Sequence, residues 1–129
     1  MSWSYSCPHC RAALNPGDAV VLVAECGKQR ILVGLHPEPG NYQAHVPPGV
    51  ELEPDSIWTF YCPVCRESLV TKLSERFCAI DGPYEGPKHR VYFSRVAGEQ
   101  ATFVVTAEGI HERHGRDVEK HALDLLKEI

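Results

Sequence analysis

The chain has 129 residues, 13 basic and 17 acidic side chains, and a formal net charge of −4. This length fits a single globular domain with its own core, which we expect over residues 1–129. The negative charge argues against non-specific binding of nucleic acid, which needs a basic surface. The longest apolar run, residues 19–24, is too short to cross a membrane. Residues 1–6 lack the basic and apolar parts of a secretory signal, so we expect a cytoplasmic protein.

The first half of the chain predicts a β-hairpin and a long irregular connection. A Cys-x-x-Cys pair at residues 7–10 precedes an apolar, β-branched run at 20–24. A second strand is predicted over 29–35, after a Gly-Lys turn. Five of the ten prolines fall in residues 36–56. This proline-rich segment predicts an exposed, extended loop, which we favour over a binding loop.

The middle of the chain begins with a strand that leads directly into a second cysteine pair. Residues 57–61 are rich in aromatic and β-branched side chains and precede the Cys-x-x-Cys pair at 62–65. We expect this strand to form a hairpin with residues 68–73. A further short strand is predicted over 76–80, where an Asp-Gly-Pro sequence ends it.

The C-terminal part predicts a hairpin followed by a helix. Two strand-like runs, 89–96 and 101–106, flank a short loop that contains glycine. Phe103 and Val105 share one face of the second run. Asp117 is a suitable N-cap for a helix. The apolar stripe of this helix would be Val118, Ala122, Leu125, Leu126 and Ile129.

Together these elements predict an α+β fold made mainly of antiparallel strands. The hairpin and helix of residues 88–129 would form its C-terminal part, with the helix docked on one face of a sheet. The two cysteine pairs would tie the N-terminus to the middle of the chain.

Four of the six cysteines belong to the two pairs, and these four are Cys7, Cys10, Cys62 and Cys65. Disulfides do not persist in a reducing cytosol. Two such pairs therefore favour one metal site with four thiolate ligands. A closed set of four ligands leaves no free coordination position, which indicates a structural site and not a catalytic one. We expect the other two cysteines, Cys26 and Cys78, to be core residues.

The two Cys-Pro-x-Cys motifs resemble those of the zinc-ribbon class, and residues 92–103 are similar to a tract of small uncharacterised bacterial zinc-ribbon proteins. The resemblance implies one structural Zn²⁺ held by the four paired cysteines. It covers only short parts of the chain and differs from the class in two ways. The motifs are separated by 51 residues, 11–61, which must fold as an insertion. Each pair is followed by arginine, Arg11 or Arg66, where ribbons often have glycine.

The sequence thus favours a small cytosolic structural-zinc protein that acts as an accessory or protein-interaction module, with a protein partner or by self-association. Other functions stay open. A rubredoxin-like iron site uses the same four thiolates and would transfer electrons. Some zinc ribbons bind nucleic acid, which the acidic composition disfavours here. A dithiol oxidoreductase would place its cysteine pair at the start of a helix after a buried strand, but no apolar run precedes Cys7.

No catalytic constellation is visible in the sequence. It contains no G-x-S-x-G, no phosphate-binding loop and no G-x-G-x-x-G, so we expect no enzyme and no organic cofactor. His111 and His114 are spaced more closely than the histidines of a helical zinc-protease motif, and we expect them to be solvated loop residues. His9, between the first two cysteines, is placed to hydrogen-bond a thiolate.

Overall fold

The computed structural model describes residues 3–71, 75–83, 89–106 and 108–118. These residues form two antiparallel β-sheets and contain no α-helix. The strands are β1 (Val20–Cys26), β2 (Gln29–Leu35), β3 (Ala44–His45), β4 (Thr59–Tyr61), β5 (Phe77–Asp81), β6 (Arg90–Ser94), β7 (Thr102–Thr106) and β8 (Gly109–His114).

The first sheet has the strand order β3-β2-β1-β4. Strands β1 and β2 form the predicted hairpin, in which Cys26 lies opposite Gln29 beside the turn. The predicted strand at 57–61 is confirmed in part, because only Thr59–Tyr61 pairs with β1. The proline-rich segment is less irregular than predicted, since β3 lies within it and pairs with the end of β2.

The second sheet has the strand order β5-β6-β7-β8. Its central hairpin, β6 and β7, confirms the hairpin predicted at 89–106. As expected, successive side chains of β7 lie on opposite faces of the sheet. Val104 packs in the core that both sheets share, whereas Phe103 and Val105 pack in a second cluster with Phe77 of β5. Strand β8 was not predicted.

The prediction of an α+β fold is wrong for the described residues, which are all β. The predicted C-terminal helix is not supported, and residues 119–129 lie outside the described part. Asp117, its predicted N-cap, forms a different pair of contacts. The Gln100 N–H donates to the Asp117 carboxylate at 2.9 Å, and the Asp117 N–H donates to the Gln100 carbonyl at 2.8 Å. In a helix cap the Asp117 carboxylate would accept from N–H groups just after it in the chain. Here it accepts from Gln100, which is distant in sequence.

The main core lies between the two sheets. It combines Leu22 and Val33 of the first sheet with Ile80 and Val91 of the second, all buried. Between the sheets, the rings of Phe60 in β4 and Phe93 in β6 are in edge-to-face contact, with their centroids 5.4 Å apart. Burial of these apolar side chains from both sheets is the main force that holds the sheets together. In the described part of the chain, no helix is long and apolar enough to cross a membrane.

Candidate metal centre

The structure brings all four paired cysteines together. Their four Sγ atoms lie within 4.8 Å of one another. The Sγ atoms of Cys7 and Cys65 are 3.8 Å apart, and those of Cys10 and Cys62 are 3.7 Å apart. Four sulfurs at ~2.3 Å from a central ion form a tetrahedron with edges of about 3.8 Å. The cluster therefore has the size and ligand chemistry to hold one metal ion, although this geometry suits zinc and iron equally.

The two cysteine pairs lie in turns, here called knuckles (residues 7–10 and 62–65), that have the same backbone hydrogen bonds. The N–H of Arg11 donates to the Cys7 carbonyl, and the N–H of Arg66 donates to the Cys62 carbonyl, each at 2.9 Å. The residue after each knuckle has a φ of 66°. This is the left-handed region in which glycine is favoured, and both arginines adopt it.

Backbone N–H groups point at the sulfur of the first cysteine in each knuckle. The His9 N–H lies 3.3 Å from the Cys7 Sγ, and the Val64 N–H lies 3.3 Å from the Cys62 Sγ. Hydrogen bonds of this kind favour the ionised thiolate. The His9 imidazole does not hydrogen-bond a thiolate as predicted, and only the backbone N–H of this residue points at a sulfur. Its ring instead donates from Nε2 to the Ser68 carbonyl at 3.1 Å and links the two knuckle segments.

The thiols of Cys7, Cys62 and Cys65 influence one another's ionisation. Burial raises the pKa of the Cys7 thiol to about 12, although the backbone N–H groups of Cys10 and His9 oppose this rise. Burial acts in the same direction on Cys62, but the N–H groups of Cys65 and Val64 and the neighbouring thiols lower its pKa to about 7. The Cys62 thiol is thus more readily ionised than the Cys7 thiol. Full ionisation needs a compensating positive charge, which a divalent cation supplies.

The cluster lies where the two sheets join. The first knuckle follows Ser6, which exchanges two hydrogen bonds of 3.0 Å with Asp81 at the end of β5. The second knuckle follows β4 directly. After it, the Leu69 N–H donates to the Phe60 carbonyl at 2.8 Å, and the Leu69 carbonyl accepts from Ala79 of β5 at 2.8 Å. A metal ion here would hold together segments that contact both sheets.

Arg95 also connects the two sheets and was missed by the sequence analysis. Its guanidinium donates to the Trp58 carbonyl at 2.9 Å, to the Thr59 hydroxyl at 2.8 Å and to the Glu75 carbonyl at 2.6 Å. Nothing in the local sequence signals this role, because all three acceptors are distant along the chain.

The other cysteines lie outside the cluster. Cys78 is fully buried in β5, as predicted, and burial raises the pKa of its thiol to about 12. Cys26 is only partly buried at the end of β1, where it packs against the core.

His111 and His114 lie on strand β8, so their prediction as loop residues is wrong. The His114 Nε2 is 2.8 Å from a carboxylate oxygen of Glu112, and the His111 ring contacts the His89 ring with the centroids 5.5 Å apart. Among the residues that the structure describes, the cysteine cluster is the one group of three or more His, Cys, Asp or Glu placed to hold a metal.

The chain matches no protein-family model, and no curated protein and no solved structure is significantly similar to it. The likeness to zinc ribbons therefore rests on the four clustered cysteines and the turns that carry them.

Proposed function

We propose that this is a small structural-zinc protein in which the four clustered cysteines hold one Zn²⁺. The observation that carries the proposal is the spacing of 3.7 Å and 3.8 Å between sulfurs of opposite knuckles, which fits a tetrahedral thiolate site. Zinc commonly occupies four-cysteine sites of this kind as a structural ion and, with four protein ligands, has no position open for substrate. The ion then stabilises the fold and does not take part in a reaction.

The position of the cluster gives the zinc a defined structural task. The N-terminal knuckle and the second knuckle are 51 residues apart, 11–61. Closing such a loop costs conformational entropy, and the metal–thiolate bonds offset this cost in the folded state. Because the four-thiolate site exists only in the folded chain, the free energy of zinc binding contributes to the free energy of folding.

We further propose that the protein acts as an accessory or protein-interaction module in the cytoplasm, through self-association or a protein partner. The support is a set of exposed apolar side chains on β2, just before β4 and in the second knuckle. Leu32, Ile57 and Val64 are 57%, 55% and 65% exposed. Burial of these side chains against another protein would remove apolar surface from water, which favours association.

Elemental analysis of the purified, untagged protein tests the metal site. We expect one zinc per chain in the wild type and in Cys26→Ser, the matched control outside the cluster. Cys10→Ser should lose most of the zinc. An iron-loaded, coloured protein with a reversible redox couple would instead support the rubredoxin-like alternative. Unchanged zinc content in Cys10→Ser would contradict the assigned ligands.

The native mass at increasing protein concentration tests the interaction role. We expect self-association, or a protein that co-purifies from native lysate, in the wild type. Val64→Ser and Ile57→Ser should reduce it without changing the zinc content. A monomer with no co-purifying partner at all concentrations would contradict the interaction role and leave the zinc site unaffected.

A further inference from the structure

A cavity of ≈ 150 Å³ lies between the two sheets and is separate from the cysteine cluster, since no cysteine lines it. Both sheets contribute to its walls. The apolar wall residues are Val20, Leu35, Phe60, Ile80, Val91 and Phe93. Apolar walls with a small number of polar groups are typical of small-molecule sites in proteins.

One side of the cavity is covered by residues 36–43, here called the strap, which form the first part of the proline-rich segment. The strap is fixed to the second sheet by Tyr42. The Tyr42 hydroxyl donates to the His114 carbonyl at 3.1 Å and lies 2.8 Å from the Thr102 hydroxyl. Burial raises the pKa of the Tyr42 phenol, which therefore stays protonated as a donor at neutral pH. These hydrogen bonds hold the strap over the cavity, so it is more than the exposed connection that the sequence predicts.

A second tyrosine fixes the other end of the strap. The hydroxyl of Tyr5, a buried residue that also lines the cavity, donates to the Pro37 carbonyl. Between these two anchors, Gly40 has a φ of 91° and lies so close to His114 that a side chain there would meet the imidazole at 3.0 Å. The anchors keep the cover in place while the rest of the strap borders the cavity.

The volume of the cavity limits the size of its ligand. Apolar protein cavities of about 150 Å³ accept a molecule of the size of benzene. A single six-membered ring therefore fits within the space between the two sheets. The rings of Phe60 and Phe93, already in edge-to-face contact with each other, offer aromatic surface to such a ring.

The charges of the lining residues limit the ligand further. Glu38, Glu99 and the imidazole of His36 line the cavity, and none of its lining residues is lysine or arginine. The His36 Nδ1 accepts a hydrogen bond from the Glu38 N–H at 3.0 Å. The Glu99 side chain is only 10% exposed, and one carboxylate oxygen lies 3.7 Å from the Arg76 guanidinium, which is itself about half exposed and does not line the cavity. The other oxygen accepts a hydrogen bond of 2.6 Å from the Ser94 hydroxyl. A carboxylate at this depth repels an anion and favours a hydrogen-bond donor.

We propose that this cavity binds an uncharged, single-ring aromatic molecule that carries a hydrogen-bond donor, of the phenol class. The ring lies between the apolar walls of the two sheets, and its donor group faces the side of the cavity where Glu99 lies. The site is independent of the proposed zinc site, so the protein would combine a structural metal with a small-molecule pocket.

An NMR titration of the metal-loaded protein tests this site with three probes: phenol, toluene and benzoate. Phenol should shift the methyl signals of Val20, Ile80 and Val91 in a saturable way. Toluene has no donor and should bind more weakly than phenol. Benzoate carries a negative charge and should bind at least about tenfold more weakly than phenol, because like charges brought together in a poorly solvated site are costly. The absence of saturable shifts with both phenol and toluene overturns the site, and equal binding of phenol and toluene overturns the donor requirement.

Leu35→Phe fills the cavity from the end of β2 and should abolish the phenol shifts. Leu52→Phe is the matched control, because it makes the same change at a side chain that is 38% exposed and does not line the cavity. Phenol binding that survives in a folded Leu35→Phe protein overturns the proposal.

Glu99→Gln keeps the shape of the side chain, removes its charge and provides a test that does not depend on the folding of Leu35→Phe. The ratio of benzoate to phenol affinity should rise about tenfold in this variant. An unchanged ratio overturns the assignment of Glu99 as the group that selects against anions.

Discussion

Arg11 and Arg66 adopt the same left-handed backbone conformation, each with a φ of 66° and each one residue after a knuckle. Both donate their backbone N–H to the carbonyl of the first cysteine of the same knuckle at 2.9 Å. The two turns are therefore equivalent in backbone geometry although they lie far apart in sequence. This conformation directs both sulfurs of a knuckle at one centre. It is sterically unfavourable for arginine, because the Cβ crowds the backbone in the left-handed region.

Replacement of either arginine by glycine should relieve this cost. A residue with a side chain in the left-handed region is disfavoured by about 1–2 kcal/mol, whereas glycine gains flexibility in the unfolded chain, which offsets part of the relief. We expect Arg11→Gly and Arg66→Gly to raise the free energy of unfolding by about 0.5–1 kcal/mol relative to the matching alanine variants. Denaturant unfolding of the zinc-loaded proteins measures the difference.

Alanine is the appropriate control here because it removes the arginine charge but keeps the strained conformation. The charge itself has an effect, since a cation beside a thiolate cluster stabilises the ionised sulfurs. Equal stability of the glycine and alanine variants would show that the backbone at these positions is not strained.

Removal of the metal should destabilise the whole fold, because the knuckle segments contact both sheets. After chelation, the buried thiols return toward their protonated forms, led by Cys7, whose pKa burial raises to about 12. We expect the melting temperature to fall sharply on chelation and to recover when zinc is added back. Acidification should also release the metal, since protons compete with it for the thiolates. Thermal unfolding followed by circular dichroism, with metal content assayed in parallel, measures both effects.

Cys26→Ser should show the same chelator sensitivity as the wild type, because Cys26 lies outside the cluster. A protein that loses its metal completely and keeps its melting temperature would contradict a structural role for the site.

The metal cluster and the hairpins were the parts of the molecule that the sequence could predict. Cys-Pro-x-Cys has a local mechanism, since a tight turn presents both sulfurs to one ion. The hairpin of β6 and β7 also has local signals: a glycine-containing loop between two β-branched runs. The separation of Phe103 and Val104 onto opposite faces follows from the alternation of side chains in any strand.

The parts that could not be predicted depend on partners distant in sequence. His111 and His114 belong to a polar segment without a strand pattern. It forms strand β8 by pairing with β7, whose backbone groups on that side would otherwise have no strand beside them. Asp117 has the local signature of a helix cap, yet its carboxylate accepts from Gln100. Tyr42 lies in a proline-rich segment that predicts an exposed loop, and its contact with Thr102 spans 60 residues. No local pattern signals any of these contacts.

The buried thiol of Cys78 should make the protein less stable at alkaline pH. Burial disfavours the thiolate and raises the pKa of this thiol from its ordinary value of 9.0 to about 12 in the folded protein. Between these values the unfolded chain has lost a proton that the folded protein retains. The free energy of unfolding therefore falls as pH rises through this window, by at most about 1.4 kcal/mol per pH unit for one group. Below pH 9.0 the thiol is protonated in both the folded and the unfolded chain, so none of this stability is lost there.

Denaturant unfolding between pH 8 and pH 11, compared with Cys78→Ala, isolates this thiol from other alkaline groups. The variant starts from lower stability because it leaves a small cavity, but its decline with pH should be shallower than that of the wild type. Parallel declines would show that Cys78 does not carry the effect.

A side chain at Gly115 should break the contacts that hold the strap to the second sheet. Gly115 has a φ of 104°, and an added Cβ would overlap the Gln100 carbonyl and the Tyr42 hydroxyl. Gly109 provides a matched control. Its φ of 118° is similar, but among the described residues no atom beyond its own chain neighbours lies within 4 Å of an added Cβ. Both alanine variants bear the cost of the backbone conformation, about 1–2 kcal/mol, and only Gly115→Ala adds the overlap.

We expect Gly115→Ala to lower the free energy of unfolding by about 1–3 kcal/mol more than Gly109→Ala, as overpacking does in protein interiors. Denaturant unfolding of the zinc-loaded variants measures this difference. The overlap should also displace Tyr42, which would appear as a change in its ring signals by NMR in Gly115→Ala and not in Gly109→Ala. Equal destabilisation with unchanged Tyr42 signals would mean that the strap adjusts freely, and that the close packing of Gly115 against Tyr42 contributes nothing to its position.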